Sequence, residues 1–196
     1  MKINKTEVFQ GKPLIKVLKE QRAYEKEKGF LTDSLDLFVK DVNDNKELAS
    51  VPIKKIAGNG SAAWAFETTD GDILKLSVGS HFPQGRPHEE FDVPIKKQGR
   101  VGKTHYYLEE KLYQHDMPYY FTDLVIEKIK KKGYEVFDLS HCDIHQIGMS
   151  QKGELYLLDP ECARFKTIFH ALFHKFKKLI HDKVSIIKIF FLQKYL

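Results

Sequence analysis

The part of the sequence that most constrains the fold is residues 138–161, where a loop rich in acids and histidines precedes two short apolar runs. These runs are Ile147–Met149 and Leu155–Leu158, and the pair Lys152-Gly153 lies between them. A glycine-containing turn between two apolar runs predicts a β-hairpin. The two outer ends of an antiparallel hairpin lie side by side. Polar groups before the first strand are therefore expected to meet Asp159, which follows the second.

The polar groups at this expected meeting point are oxygen-rich. Asp143, His145 and Gln146 come just before the first strand, and Asp159 comes just after the second. Carboxylate and amide oxygens are ligands that hard divalent cations prefer. A further carboxylate nearby can orient a hydroxyl group for attack. The spacing therefore predicts a cation site with an acid beside it.

This constellation resembles the catalytic loop and metal-binding strand pair of the protein-kinase-like fold. The family pattern is His-x-Asp, an Asn five positions later, and then, after thirteen more, the Asp of Asp-Phe-Gly. Here His141-Cys142-Asp143 matches the first part, and Asp159-Pro160-Glu161 stands in place of Asp-Phe-Gly. Gln146 replaces the Asn, in a loop two residues shorter. The resemblance implies that Asp143 is the catalytic base and that Gln146 and Asp159 are metal ligands.

A second alignment with the same family remains open. Asp138 lies five residues before Asp143, so Asp138 could be the base and Asp143 the replacement for the Asn. We favour Asp143 because Asp143-Ile144-His145 resembles the Asp-Leu-His version of the loop in small-molecule and bacterial kinases.

Upstream, short apolar runs separated by turns predict an antiparallel sheet. The predicted strands are Ile53–Ile56, Trp64–Thr68, Ile73–Leu76, Val93–Lys96 and His105–Leu112. A glycine-containing turn between the first two exposes backbone N–H groups that can approach phosphates. Lys75 lies on the third strand between apolar neighbours and needs an anionic partner. The resemblance implies that Lys75 is catalytic and that nucleotide phosphates contact it and the turn residues Gly58, Asn59, Gly60 and Ser61.

Two further nucleotide contacts are implied by the resemblance. An acid from the segment after the third strand would pair with Lys75, and this is either Glu89 or Glu90; three prolines limit that segment to one or two helical turns. The backbone of Glu110 to Leu112 would meet the adenine base.

The expected fold class is α+β, a bilobal kinase-like fold with a five-stranded antiparallel N-lobe sheet and a strongly reduced helical C-lobe. Residues 1–50 are predicted to be a helical extension that packs on the domain or binds a partner. The kinase-like domain would be residues 51–196, with the N-lobe at about 51–112 and the C-lobe at about 113–196. A helix opened by Pro118 and ending near Lys132-Gly133 would support the catalytic loop.

The resemblance extends to function. The short C-lobe is similar to that of minimal, atypical bacterial kinases, among them small secreted effector kinases of Gram-negative pathogens. It implies an ATP-dependent Ser/Thr protein kinase that uses Mg²⁺ or Mn²⁺ and acts as a virulence effector on a host protein. The alternatives are a sugar or lipopolysaccharide-core kinase, and a catalytically dead pseudokinase that binds and scaffolds a partner.

The positive charge is concentrated at the C-terminus. Residues 163–196 hold eight Lys or Arg and one acid, with apolar residues at helical spacing. This pattern indicates a helix that closes the second lobe, or one that binds an anionic membrane or acidic partner. Nucleic acid is not an expected partner, because no recognised binding motif accompanies the charge.

The remaining sequence signals concern location and redox state. No signal peptide or transmembrane run is evident, which predicts a cytoplasmic protein or one injected into a host cell by a dedicated secretion system. Cys142 and Cys162 are expected to be reduced thiols.

Overall fold

The computed structural model describes residues 9–30, 33–60, 63–79, 87–114, 117–137, 139 and 144–165. The chain is α+β. Its helices are α1 (Leu14–Glu27), α2 (Asp33–Asn43), α3 (Lys46–Ser50) and α4 (Tyr120–Lys131). Its strands are β1 (Lys12–Pro13), β2 (Pro52–Asn59), β3 (Ala63–Thr68), β4 (Ile73–Val78), β5 (Ile95–Val101), β6 (Thr104–Glu109), β7 (Tyr134–Val136), β8 (Ile147–Met149), β9 (Leu155–Leu157) and β10 (Ala163–Phe165).

The main sheet is antiparallel and has six strands in the order β1-β2-β3-β4-β6-β5. The prediction of five strands was therefore wrong. The additional strand is Lys12–Pro13, which pairs with Pro52 and Ile53 at the edge of the sheet. Proline cannot donate a ladder hydrogen bond, and it is tolerated at such an edge. The pairing brings the N-terminal segment into the same sheet as the central strands.

The N-terminal helices cover one face of this sheet. Side chains that alternate along β3 and β4 point to this face, where Trp64, Phe66, Leu74 and Leu76 are buried. They form one hydrophobic cluster with the apolar stripes of α1 and α2. Of the two predicted roles for residues 1–50, packing on the domain is the one observed for α1, α2 and α3.

All five predicted strands have different bounds in the structure, and two of the differences bear on the site. β5 begins at Ile95 rather than Val93, because the backbone N–H of Val93 donates to the carbonyl of Leu157 outside the sheet. β6 ends at Glu109 rather than continuing to Leu112. The segments before β5 and after β6 therefore leave the sheet and contact the β8–β9 hairpin.

A second hydrophobic cluster lies outside the sheet. The helix α4 packs against the β8–β9 hairpin, and β7 pairs with β10. The predicted hairpin is confirmed, with Ile147 opposite Leu157 and Met149 opposite Leu155. The buried members of this second cluster include Phe91, Val125, Ile129, Tyr134, Ile147, Leu157 and Cys162. Cys162 is 2% exposed.

Backbone contacts join the hairpin to segments that flank β5 and β6. The N–H of Leu157 donates to the carbonyl of Phe91 at 2.6 Å. Tyr113 and Met149 exchange two hydrogen bonds of 2.8 and 2.9 Å. The hairpin is therefore held on both sides by chain that enters and leaves the outer strands of the main sheet.

Leu112 lies directly over Gly148 of β8. A Cβ built on Gly148 would be 2.6 Å from the Cβ of Leu112, closer than two carbon atoms can pack. We expect Gly148→Ala to lower the free energy of unfolding by about 1–3 kcal/mol, because the buried contact must open. Chemical denaturation would measure this. Gly58→Ala is the control, since a Cβ there meets nothing within 4 Å; equal losses in both variants would contradict the explanation.

No helix in the described parts of the chain is long and apolar enough to cross a membrane.

Candidate functional site

Lys75 lies on the face of the sheet opposite the N-terminal helices, in a row with small residues. Gly58 of β2 is opposite Ala65 of β3, and Ala65 is opposite Lys75. Side chains in one row of a sheet point to the same face. No large side chain therefore separates the end of β2 from Lys75. Of the predicted turn residues, Asn59 pairs with Trp64, and the N–H of Gly60 donates to the carbonyl of Ala63 at 2.8 Å.

The ammonium of Lys75 joins the sheet to the hairpin. It lies 3.2 Å from Oε2 of Glu109 and donates to the carbonyl of Leu158 at 2.9 Å. Lys75 is 18% exposed and Glu109 only 2%. The need for an anionic partner is thus met on a neighbouring strand, where Glu109 is placed diagonally from Lys75 across the β4–β6 pair.

The partner of Lys75 is therefore neither Glu89 nor Glu90, so the pairing inferred from the resemblance was wrong. Glu89 accepts a 2.6 Å hydrogen bond from the hydroxyl of Tyr134, and Glu90 lies 3.5 Å from the ammonium of Lys132. Within the described residues 87–94 there is a turn but no helix. The buried Asp92 holds this turn by accepting the N–H of Glu89 at 2.7 Å, which directs both acids towards the second cluster.

The hairpin brings the backbone segments that carry Gln146 and Asp159 side by side. The N–H of Leu158 donates to the backbone carbonyl of Gln146 at 2.8 Å, and Asp159 is the next residue. Oδ1 of Asp159 accepts the N–H of Glu161 at 3.0 Å and thereby begins a short 3₁₀ turn, Pro160–Cys162. The Lys75 ammonium and the backbone carbonyl of Gln146 thus both contact the backbone of Leu158, the residue before Asp159.

The donors here fit a hard cation only in part. Among the described residues, no three His, Cys, Asp or Glu side chains come together as a metal site. Gln146 and Asp159 offer an amide oxygen and a carboxylate. Mg²⁺ is commonly held by one or two carboxylates and completes its shell with water and phosphate oxygens, and Asp159 is one such carboxylate.

The segment after β6 is placed differently from an open nucleotide-binding edge. The N–H of Glu110 is already used, donating to the carbonyl of Pro94 at 3.0 Å. The side chain of Leu112 is buried against Gly148. Of the expected adenine contacts, Leu112 could therefore offer only apolar surface. The backbone N–H of Glu110 is not available to an adenine base.

Several predicted residues lie outside the described residues. These are Asp143, the alternative base Asp138, Ser61, Cys142 and the C-terminal segment after Phe165.

Two carboxylates of this region were not predicted. Glu67 and Glu109 are both 2% exposed and lie opposite Ile73 from either side, so they flank the start of β4 on the face that carries Lys75. The alternation along β3 could have indicated that Ala65 and Glu67 share the face opposite the apolar residues of this strand. The register that places Glu109 beside Lys75 depends on strand pairing, which the sequence alone does not specify.

Glu67 is held by three lysines. Lys54 donates to its Oε1 at 3.0 Å, and the ammonium groups of Lys111 and Lys55 lie 3.0 and 3.5 Å from its Oε2. Burial alone would raise the pKa of this carboxyl. Hydrogen bonds from Lys54 and Lys111, and the positive charges of Lys111 and Lys55, outweigh burial and lower the pKa from 4.5 to about 2.

This lowered pKa predicts acid sensitivity. The ionised carboxylate stabilises the folded state fully above the unfolded value of 4.5, and the stabilisation is lost as pH falls from there towards about 2. We expect the loss to be about 2 kcal/mol, since the lysines are exposed and partly screened. Urea denaturation of the wild type and Glu67→Gln between pH 7 and pH 2.5 would test this. The difference in stability between them should shrink with acidification; a constant difference would contradict it.

No protein-family model matches the chain, and no curated protein matches it.

Proposed function

We propose that the protein is an ATP-dependent phosphotransferase with a kinase-like arrangement of its site. The observation that carries this proposal is the contact of Lys75 with the carbonyl of Leu158, 83 residues away in the chain. Leu158 precedes Asp159 and is bonded to Gln146. A cation on the sheet beside the chain segments that carry Gln146 and Asp159 supports this proposal, because transfer of a phosphate group needs positive charge and metal-binding oxygens close together.

The residues have distinct roles in this proposal. The ammonium of Lys75 would contact phosphate oxygens, held in place by the buried Glu109. Gln146 and Asp159 would hold the divalent cation, which supplies neutralisation of phosphate charge when bound. Asp143 would orient the acceptor hydroxyl and receive its proton. The row of Gly58 and Ala65 would leave space for phosphates above Lys75.

The proposed acceptor is a Ser or Thr hydroxyl of a protein, and the proposed biological role is that of an effector kinase acting on a host protein. A sugar or lipopolysaccharide hydroxyl is the alternative acceptor, because the same groups would orient any alcohol.

The test is transfer of the γ-phosphate of labelled ATP, with Mg²⁺ or Mn²⁺, to the protein itself and to a eukaryotic lysate. Asp159→Asn is the informative variant, since an amide oxygen can still accept the N–H of Glu161 while the charge is lost. We expect transfer to fall at least about a hundredfold. The matched control is Glu127→Gln, which removes an exposed acid of α4 and should leave transfer unchanged.

ATP binding should be measured in the same samples by thermal stabilisation. Stabilisation that needs Mg²⁺ and is lost in Asp159→Asn supports the assignment of the metal ligands. Binding without transfer to protein, sugar or lipopolysaccharide would replace the enzyme with a nucleotide-binding scaffold. A protein that does not bind ATP at all would contradict the proposed function.

A further inference from the structure

A group of three lysines surrounds Glu67 on the face of the sheet that carries Lys75. We call Lys54, Lys55 and Lys111 the lysine triad. All three ammonium groups lie within 3.5 Å of a carboxylate oxygen of Glu67. One buried negative charge therefore gathers three positive charges, which leaves the group with a surplus of two.

A bulge in β2 creates this arrangement. Adjacent residues of a strand normally point to opposite faces of a sheet. Here the register shifts between Ile53 and Lys55, so Ile53 is opposite Thr68 while Lys55 is opposite Glu67. Lys54 is the extra residue of the bulge, and both lysines reach the same glutamate. Bulges commonly redirect a side chain beside a functional site.

The third lysine comes from a different part of the chain. Lys111 follows β6 by two residues and reaches Oε2 of Glu67 at 3.0 Å, the oxygen that Lys55 also approaches. Two ammonium groups that share one carboxylate oxygen are closer than the screening length of about 8 Å at physiological salt. Their mutual repulsion is therefore only partly screened, and a bound anion would relieve it.

The side chains are placed to receive such an anion. Glu67 is 2% exposed, whereas the side chains of Lys54, Lys55 and Lys111 are 54%, 42% and 47% exposed. Each ammonium has three N–H donors, so donors beyond those used on Glu67 are available to solvent. The Glu67 carboxylate holds the ammonium groups from the protein side, and their solvent-facing side stays accessible.

We propose that the lysine triad binds a phosphate monoester group. A phosphate monoester carries a charge of about −1.5 to −2 at neutral pH and three strong acceptor oxygens, which match the surplus charge and the three donors. A carboxylate has half the charge and two oxygens, and matches less well. The triad is separate from Lys75, whose charge is already balanced by Glu109, and the proposal does not depend on the proposed transfer activity.

The test is titration of the isotopically labelled full-length protein with O-phosphoserine and with inorganic phosphate, at ionic strength held constant with chloride. We expect saturable shifts of the backbone amides of Lys54, Lys55, Glu67 and Lys111. Serine should produce none. Shifts with inorganic phosphate but not with O-phosphoserine would overturn the assignment of a monoester, and shifts elsewhere would overturn the site.

Variants distinguish specific binding of phosphate at the lysine triad from nonspecific attraction of an anion to a basic protein. Lys111→Gln should weaken binding about tenfold, the loss of one charge-assisted hydrogen bond, and Lys111→Arg should restore it to within about twofold of the wild type. Two lysines remain on Glu67 in both, and the dispersion of the amide spectrum reports folding. Lys96→Gln removes an equally exposed lysine that pairs singly with Asp72. An equal loss in this control would overturn the proposal.

Discussion

Replacing Lys75 with Met is expected to lower the free energy of unfolding by about 3 kcal/mol and to remove phosphate transfer. Met keeps the length of the side chain but not the charge, so the carboxylate of Glu109, 2% exposed, loses the ammonium 3.2 Å away. Leaving one member of a buried ion pair without its counter-charge is among the costliest single changes. The contact with the carbonyl of Leu158 is lost with it. Urea denaturation and the transfer assay would measure the two effects.

The second substitution Glu109→Gln distinguishes the two consequences. In the double variant neither side chain of the pair carries a charge, so we expect at least half of the lost stability to return. Phosphate transfer should stay absent, because the cation is still missing. A Lys75→Met protein as stable as the wild type would contradict the importance of the pair. Recovery of transfer in the double variant would contradict the role of Lys75 in catalysis.

Replacing Asp41 with Ala is expected to lower the free energy of unfolding by about 3–4 kcal/mol. Asp41 is 6% exposed, and its Oδ2 accepts three hydrogen bonds of 2.8–2.9 Å, from the N–H of Lys103 and from the N–H and hydroxyl of Thr104. Thr104 is fully buried, so its donors would be left without an acceptor. The carboxylate fastens α2 to the β5–β6 turn, and thermal or chemical denaturation would report its loss.

Two further variants test this explanation for Asp41. Asp44→Ala removes an exposed acid beyond the end of the same helix and should change stability by less than about 0.5 kcal/mol. Gly102→Ala should destabilise strongly, because its φ of +57° disfavours a side chain and a Cβ there would overlap the Asp41 carboxylate. Similar stabilities for Asp41→Ala and Asp44→Ala would show that the three hydrogen bonds contribute little.

The local parts of the fold were predictable because short-range patterns determine them. The glycine at 153, with a φ of +82°, and its apolar flanks predicted the β8–β9 hairpin. The short strands β1, β7 and β10 were missed. Two or three residues are too few to show a period, and such strands form only because a partner strand is present.

The candidate site was predictable to a similar extent. Hairpin geometry alone brought the backbone segments of Gln146 and Asp159 side by side, since both belong to one local unit. The partner of Lys75 could not be predicted in this way. Glu109 is chosen by the register between β4 and β6, and Glu89 is drawn away by the hydroxyl of Tyr134. Long-range pairings of this kind depend on packing that no spacing in the sequence encodes.

The separation between Lys75 and Leu158 has a consequence for the order in which the protein is built. The six strands of the main sheet and the helices that cover one face are complete once the chain has been synthesised to Glu109. Lys75 and Glu109 can pair at that stage, and Glu67 already has two of its lysines. The carbonyl of Leu158 emerges later, and closing so long a loop is slow. We therefore expect a nascent chain that acquires its scaffold early and its oxygen donors last, so that the site is assembled only in the finished protein.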